Sequence, residues 1–212
     1  MLPVLLVCCS TPQRMCVGEG ACGAQGQCVA GRCLAKGAAA DVETARRLLY
    51  EPVEVAYVRR GESAGVPAIA TLGGSDGAVA LLRFFVPLPP EARVVEAYIL
   101  FERAAEVDVD PAPVALRAVR VLDPWDGRSV SWARRPRTEG TGSPVTLVRP
   151  ASGPWVRLDA RALVRRWRDR GDSEQGVAIV AEANGPPGAS GVALALASGG
   201  AAAGPRLELY VK

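Results

Sequence analysis

The chain contains no histidine. That absence excludes Ser-His-Asp and Cys-His catalytic arrangements and any histidine metal ligand. Lysine is almost missing too: of 25 basic residues only Lys36 and Lys212 are not Arg. With abundant Ala, Gly and Pro, that preference reads as a compositional bias rather than as phosphate binding. The formal net charge of +3 is too small to argue for nucleic acid or an anionic membrane surface. No internal run of about 18 or more apolar residues exists, so no membrane-spanning helix is expected and a membrane would be reached only through a lipid anchor. Aromatics make up 5% of the sequence, and no cysteine follows Cys33.

What is present is a hydrophobic fraction of 49% over 212 residues. That is enough for one domain with a sizeable core and a tail. All 6 cysteines fall in the first 33 residues, which separates a Cys/Gly-rich head from a cysteine-free body. Cysteines used this way point to disulfides, an oxidising compartment and an exported protein. The start, Met1 to Val7, is apolar but short and lacks a basic residue. Leu5-Leu6-Val7-Cys8-Cys9 is similar to a bacterial lipoprotein signal, in which a cysteine is lipidated after cleavage. Lipidation at Cys9 leaves an even number, Cys16, Cys22, Cys28 and Cys33, for two disulfides in a glycine-rich knot. Three pairings are open. A four-cysteine zinc site is the competing reading, and the missing Cys-x-x-Cys spacing argues against it. The expected organisation is a signal-like segment over 1–9, a disulfide head over 10–36, a linker over 37–52 and a body over 53–212. Within the linker Asp41 is a candidate cap for a short helix from Val42 to Tyr50.

The body reads as short strands separated by Gly/Pro turns such as Gly73-Gly74-Ser75-Asp76-Gly77 and Asn184-Gly185-Pro186-Pro187-Gly188. Expected strands are 53–58, 79–86, 94–101, 114–122, 129–132, 145–148, 155–158, 176–182, 192–197 and 207–211. This pattern predicts an all-β, jelly-roll-like antiparallel β-sandwich. One short helix is expected after Asp159, an N-cap candidate, with Leu163, Val164 and Trp167 on its apolar face.

Three of the 4 tryptophans lie in two blocks. The first is Asp123-Pro124-Trp125-Asp126 followed by Ser129-Val130-Ser131-Trp132 and Arg135-Pro136. The second is Leu158-Asp159 with Leu163-Val164 and Trp167. Together with Arg83 to Pro90, Ala97-Tyr98-Ile99-Leu100, Gly176 and Pro205-Arg206-Leu207, these blocks resemble the DNRLRE domain. That domain is also described as the disaggregatase-related or family 96 carbohydrate-binding module. The resemblance spans roughly Val53 to Lys212. It implies a jelly-roll-like sandwich, an extracellular location and a non-catalytic role.

Candidate ligand residues follow from side-chain chemistry. Trp125 and Trp155 are candidates to stack on sugar rings. Arg134, Arg135, Arg165 and Arg166 are candidates to grip the carboxylates of an acidic polysaccharide. Trp132 and Trp167 are expected in the core, because large aromatics chiefly serve burial. The same core role is the favoured alternative for Trp125. Asp126 and Asp159 are expected to hold backbone N–H groups. Glu106, Asp108 and Asp110 share one face of an extended segment and form a weak structural calcium candidate. The favoured alternative there is a charged strand edge. No other cofactor is expected.

The leading expectation is a non-catalytic surface module that binds extracellular or cell-envelope polysaccharide, on an outer-membrane lipoprotein or a secreted chain. The alternative is a structural surface or filament subunit that associates with itself through its sandwich or N-terminal segment. An exposed groove joining a Trp to convergent Arg favours the first. An open strand edge or apolar patch suited to a neighbour favours the second.

Overall fold

The computed structural model describes residues 16, 22–24, 26–29, 32–62, 65–104, 113–140, 142–149, 153–170, 176–197 and 203–212. The Cys9 site and the Glu106, Asp108 and Asp110 cluster lie outside the described residues. The head holds β1 (Gly26–Val29) and β2 (Arg32–Ala35), followed by α1 (Lys36–Glu43). The body then runs β3 (Arg46–Tyr50), β4 (Pro52–Arg59), β5 (Ile69–Leu72), β6 (Ala78–Phe84), β7 (Val94–Glu102) and β8 (Val114–Arg120). It continues with β9 (Thr146–Val148), β10 (Trp155–Asp159), α2 (Arg161–Arg170), β11 (Val177–Ala181), β12 (Val192–Ala195) and β13 (Arg206–Val211).

Strand periodicity decides the layers, because successive side chains point to opposite faces. A four-stranded sheet has the order β10-β7-β13-β3, and a five-stranded sheet has the order β4-β6-β11-β8-β9. Every pairing in both is antiparallel. Ile99 and Phe101 from β7 and Leu207 and Leu209 from β13 meet Leu82 and Phe84 from β6 and Ile179 from β11 in one buried cluster. The small β12-β5 pair adds Leu72 and Leu194 to it. The expected antiparallel sandwich is therefore the fold, with a Cys-rich head before it.

The five-stranded sheet is apolar on its other face as well. Val58, Leu81, Val119 and Ala178 point away from the main core and join a second buried cluster with Trp125 and Val130. A sheet with two apolar faces needs two covers. The four-stranded sheet supplies one, and the segment between β8 and β9 supplies the other.

Among the described residues there are two short helices, and the expected linker is largely structured. In α1, Val42 is buried, and the helix ends at Glu43 instead of running from Val42 to Tyr50. Residues 46–50 form an edge strand in full register with β13, from Leu207 opposite Tyr50 to Val211 opposite Arg46. The physical reason is period two: Leu48 and Tyr50 pack on the main core, whereas Leu49 is exposed. Pro52 does not stop a helix; it opens β4, at the edge of the other sheet. The segment 129–132, expected as a strand, is a turn, because the Asp126 carbonyl accepts the N–H groups of Ser129 and Val130 at 3.1 and 2.9 Å. Strand β5 was not foreseen; it pairs with β12 from Leu72 opposite Val192 to Ile69 opposite Ala195.

The head is a hairpin in which Cys28 lies opposite Cys33. Of the three possible pairings the structure has Cys16–Cys28 and Cys22–Cys33. The Sγ atoms of Cys16, Cys22 and Cys33 cluster within 4.8 Å, but all are engaged in disulfides.

Helix α2 starts at Arg161, one position later than an N-cap at Asp159 would set, so Asp159 acts from just ahead of the cap. Its Oδ1 accepts the Arg161 N–H at 2.8 Å, while Ala160 provides the first helical carbonyl, to Val164 at 2.9 Å. A helix of 10 residues is marginal alone, so its packing sustains it. Leu163, Val164 and Trp167 are buried, and the Trp167 ring lies 6.5 Å from that of Phe84. Trp167→Ala is expected to cost about 3–5 kcal/mol, read from urea unfolding. A loss well under about 1 kcal/mol would mean that the helix is not anchored by this ring.

Candidate functional site

The segment 121–139 lies across the outer face of the five-stranded sheet, and a few side chains fix it there. Arg83 of β6 donates to the Trp125 carbonyl at 2.5 Å, and its guanidinium lies 4.7 Å from the Trp125 ring centroid. It also pairs with Glu54 of β4 at 2.5 Å. Glu54 in turn accepts the Gly127 N–H at 2.6 Å. Asp126 closes the turn by accepting the Arg128 N–H at 2.7 Å. At the far end Asp123 accepts from the Arg137 backbone at 2.8 Å and from its guanidinium at 2.7 to 3.1 Å.

This clamp settles the place of two tryptophans: Trp125 takes the core role favoured for it, and Trp132 departs from its expected one. Trp125, a stacking candidate, is 8% exposed and sits under the segment. Trp132, expected in the core, is half-buried at its rim. The cause is the Asp126 turn, which breaks the strand expected to carry Trp132 inward. The Trp132 ring packs on Val79 and Val180 and holds the guanidinium of Arg135 at 4.2 Å and that of Arg60 at 5.5 Å. Arg135 is further oriented by donating to the Trp132 carbonyl at 2.6 Å.

Beside the ring is a groove of about 200 Å³ whose lining includes Trp132, Arg135, Thr138 and Asn184 over a floor of Val79, Leu81 and Val180. Two turns shape its upper wall. Gly77 has φ +70°, and a Cβ there would come 3.2 Å from the Trp132 ring and 3.3 Å from the Asn184 amide oxygen. Only glycine suits both the left-handed backbone and the close approach. Arg60, Thr138 and Asn184 escaped the sequence reading. The pairing of Val79 with Val180 is what brings the turn holding Gly77 to the one holding Asn184. Both turns were legible as turns; their neighbourhood was not.

The remaining candidates do not converge on this groove. Trp155 is 38% exposed on edge strand β10, in the other sheet. Arg165 spends its guanidinium on the Val94 carbonyl at 3.1 and 2.8 Å. Arg166 pairs with Glu139 at 2.5 Å. Arg134 is exposed beside Arg135. Among the described residues no ion pair joins Arg128 or Arg134 to a carboxylate.

A guanidinium has five N–H donors, so Arg135 keeps others for a carboxylate beyond the one given to the Trp132 carbonyl. The Asn amide offers both a donor and an acceptor to a hydroxyl. Among the described residues the groove lining contains no carboxylate. The paired acids of glycoside hydrolysis are therefore missing from it. No model of a known protein family matches the chain, and a search of curated proteins finds no match to it.

Hydrogen bonds from Arg137, first from its side chain and then from its backbone, hold the Asp123 carboxyl below the usual carboxylate range. The tie is therefore complete above about pH 4 and is lost as pH falls through the lowered folded value. Arg137→Met is expected to move the Asp123 titration up toward the ordinary value, read by NMR of its carboxyl carbon. An unmoved titration would show that this pair does not hold the segment's end.

Proposed function

We propose that this chain is a non-catalytic, exported glycan-binding module of the DNRLRE type. The observation that carries the reading is Trp132 at an open groove with two guanidiniums on its ring and an Asn and a Thr in its lining. Trp132 and Arg135 fall inside the Trp125-to-Pro136 block on which the family resemblance rests. The exposed part of an indole ring offers apolar surface to the C–H groups of a sugar, and polar groups beside it fix hydroxyl and carboxylate positions. Arg60 and Arg135 over the ring, with Arg134 exposed next to Arg135, put positive charge at the groove, which favours an acidic polysaccharide over a neutral one. The disulfide-bonded head suits an oxidising compartment. With a lipid on Cys9, the module would stand on an outer membrane, its head and α1 acting as the stalk.

The test is binding of the intact purified chain to neutral and acidic polysaccharides at low and moderate salt. The expected result is salt-sensitive binding to an acidic polymer, weakened about tenfold or more by Trp132→Ala and by Arg135→Gln. Trp155→Ala should leave it unchanged. Binding that survives both groove variants, or no binding to any polymer, would remove this site from the account.

A further inference from the structure

A different face of the molecule carries an independent inference. Strand β3 is the last strand of its sheet, and among the described residues no strand pairs with its outer edge. An open edge presents unpaired N–H and C=O groups that template another strand. Proteins commonly protect such edges; here Leu49 is 47% exposed on the outer row of β3. On the inner row Leu48 and Tyr50 line a groove of about 610 Å³ with Pro87, Leu88 and Pro89. Apolar surface of this kind beside a free edge suits strand addition.

The sequence of the edge says what adds to it. Arg47-Leu48-Leu49-Tyr50 of β3 is followed by Glu51, just beyond the strand's end, so the run is basic at one end, acidic at the other and apolar between. We propose that β3 pairs antiparallel with β3 of a second copy of this chain, with Leu49 on the two-fold axis. In that register Arg47 stands opposite Glu51 of the second copy, and Glu51 opposite its Arg47. Leu48 faces Tyr50 in both directions, and the two exposed Leu49 side chains cover each other. Directly opposite residues of an antiparallel pair share a face, and opposite charges there are favourable. Centring on Leu48 instead sets Arg47 against Leu49 and leaves Glu51 without a charged neighbour, so the charges select Leu49. Arg47 is already held in the outer row by Glu208, at 2.5 Å, while remaining half exposed. The pairing is isologous and closed, joining two four-stranded sheets into one and bringing the two apolar grooves together across the axis.

Sedimentation equilibrium of the intact chain tests this. The expected result is a monomer–dimer equilibrium whose dissociation constant rises about tenfold or more in Glu51→Arg, which sets like charges opposite each other twice. Leu49→Lys, which places two ammonium groups on the axis, should do the same. Both positions are exposed, and unchanged thermal melts would show that the variants fold. Residues on the axis approach within about 4.5–5.5 Å between Cα atoms, inside disulfide reach. Leu49→Cys should therefore give a covalent dimer on oxidation that the wild type does not. A monomer at every concentration, a dimer indifferent to Glu51→Arg and Leu49→Lys, or no added cross-link in Leu49→Cys would each overturn the proposal.

Discussion

The guanidinium of Arg83 ties the segment 121–139 to the outer face of the paired strands β4 and β6. It rises from the outer face of β6, stacks on Trp125, donates to the Trp125 carbonyl and pairs with Glu54 of the neighbouring strand. Glu54 then takes the Gly127 N–H. The five-stranded sheet exposes an apolar outer face unless the segment between β8 and β9 lies over it, and that segment has too little regular structure to hold itself there. Burial of Trp125 and Val130 supplies the attraction, while the Arg83–Glu54 pair supplies the register. A partly buried charge pair is poor as pure stabilisation but costly to break on one side, which makes it suited to fixing position.

The opposite sheet solves its outer face differently. There Glu208 has no side-chain exposure and is ringed by Arg47 at 2.5 Å, Arg157 at 3.4 Å and the Tyr210 hydroxyl at 3.3 Å. Tyr98 bonds Glu96, which also meets Arg161. Ion pairs occur on both sheets; what sets the groove at Trp132 apart is the pair of guanidiniums, Arg60 and Arg135, over its ring.

Much of the sandwich was legible because period-two burial is written directly into strands such as β7 and β13. The helix was legible from Leu163, Val164 and Trp167. Strand β3 was hidden by its arginines: Arg46-Arg47-Leu48-Leu49-Tyr50 suits a helix face as readily as a strand, and only pairing with β13 decides. Trp125 and Trp132 were recognisable as important, but their roles depend on a turn at Asp126 and on Arg83, which lies 42 positions from Trp125. The groove was beyond local reading because three segments compose it, joined by the β6–β11 register. Disulfide pairing was open for a similar reason, since spacing permits every choice that the hairpin then narrows.

The most direct test of the account is hydrogen exchange in Arg83→Met. Losing the clamp should release the amides of Gly127, Val130 and Leu122 together while those of β6 and β11 stay protected, and the Trp132 ring should become more exposed. Unchanged protection across 121–139 would contradict the claim that Arg83 positions this segment. Simultaneous loss across both sheets would contradict the view that the segment covers a sandwich already stable beneath it.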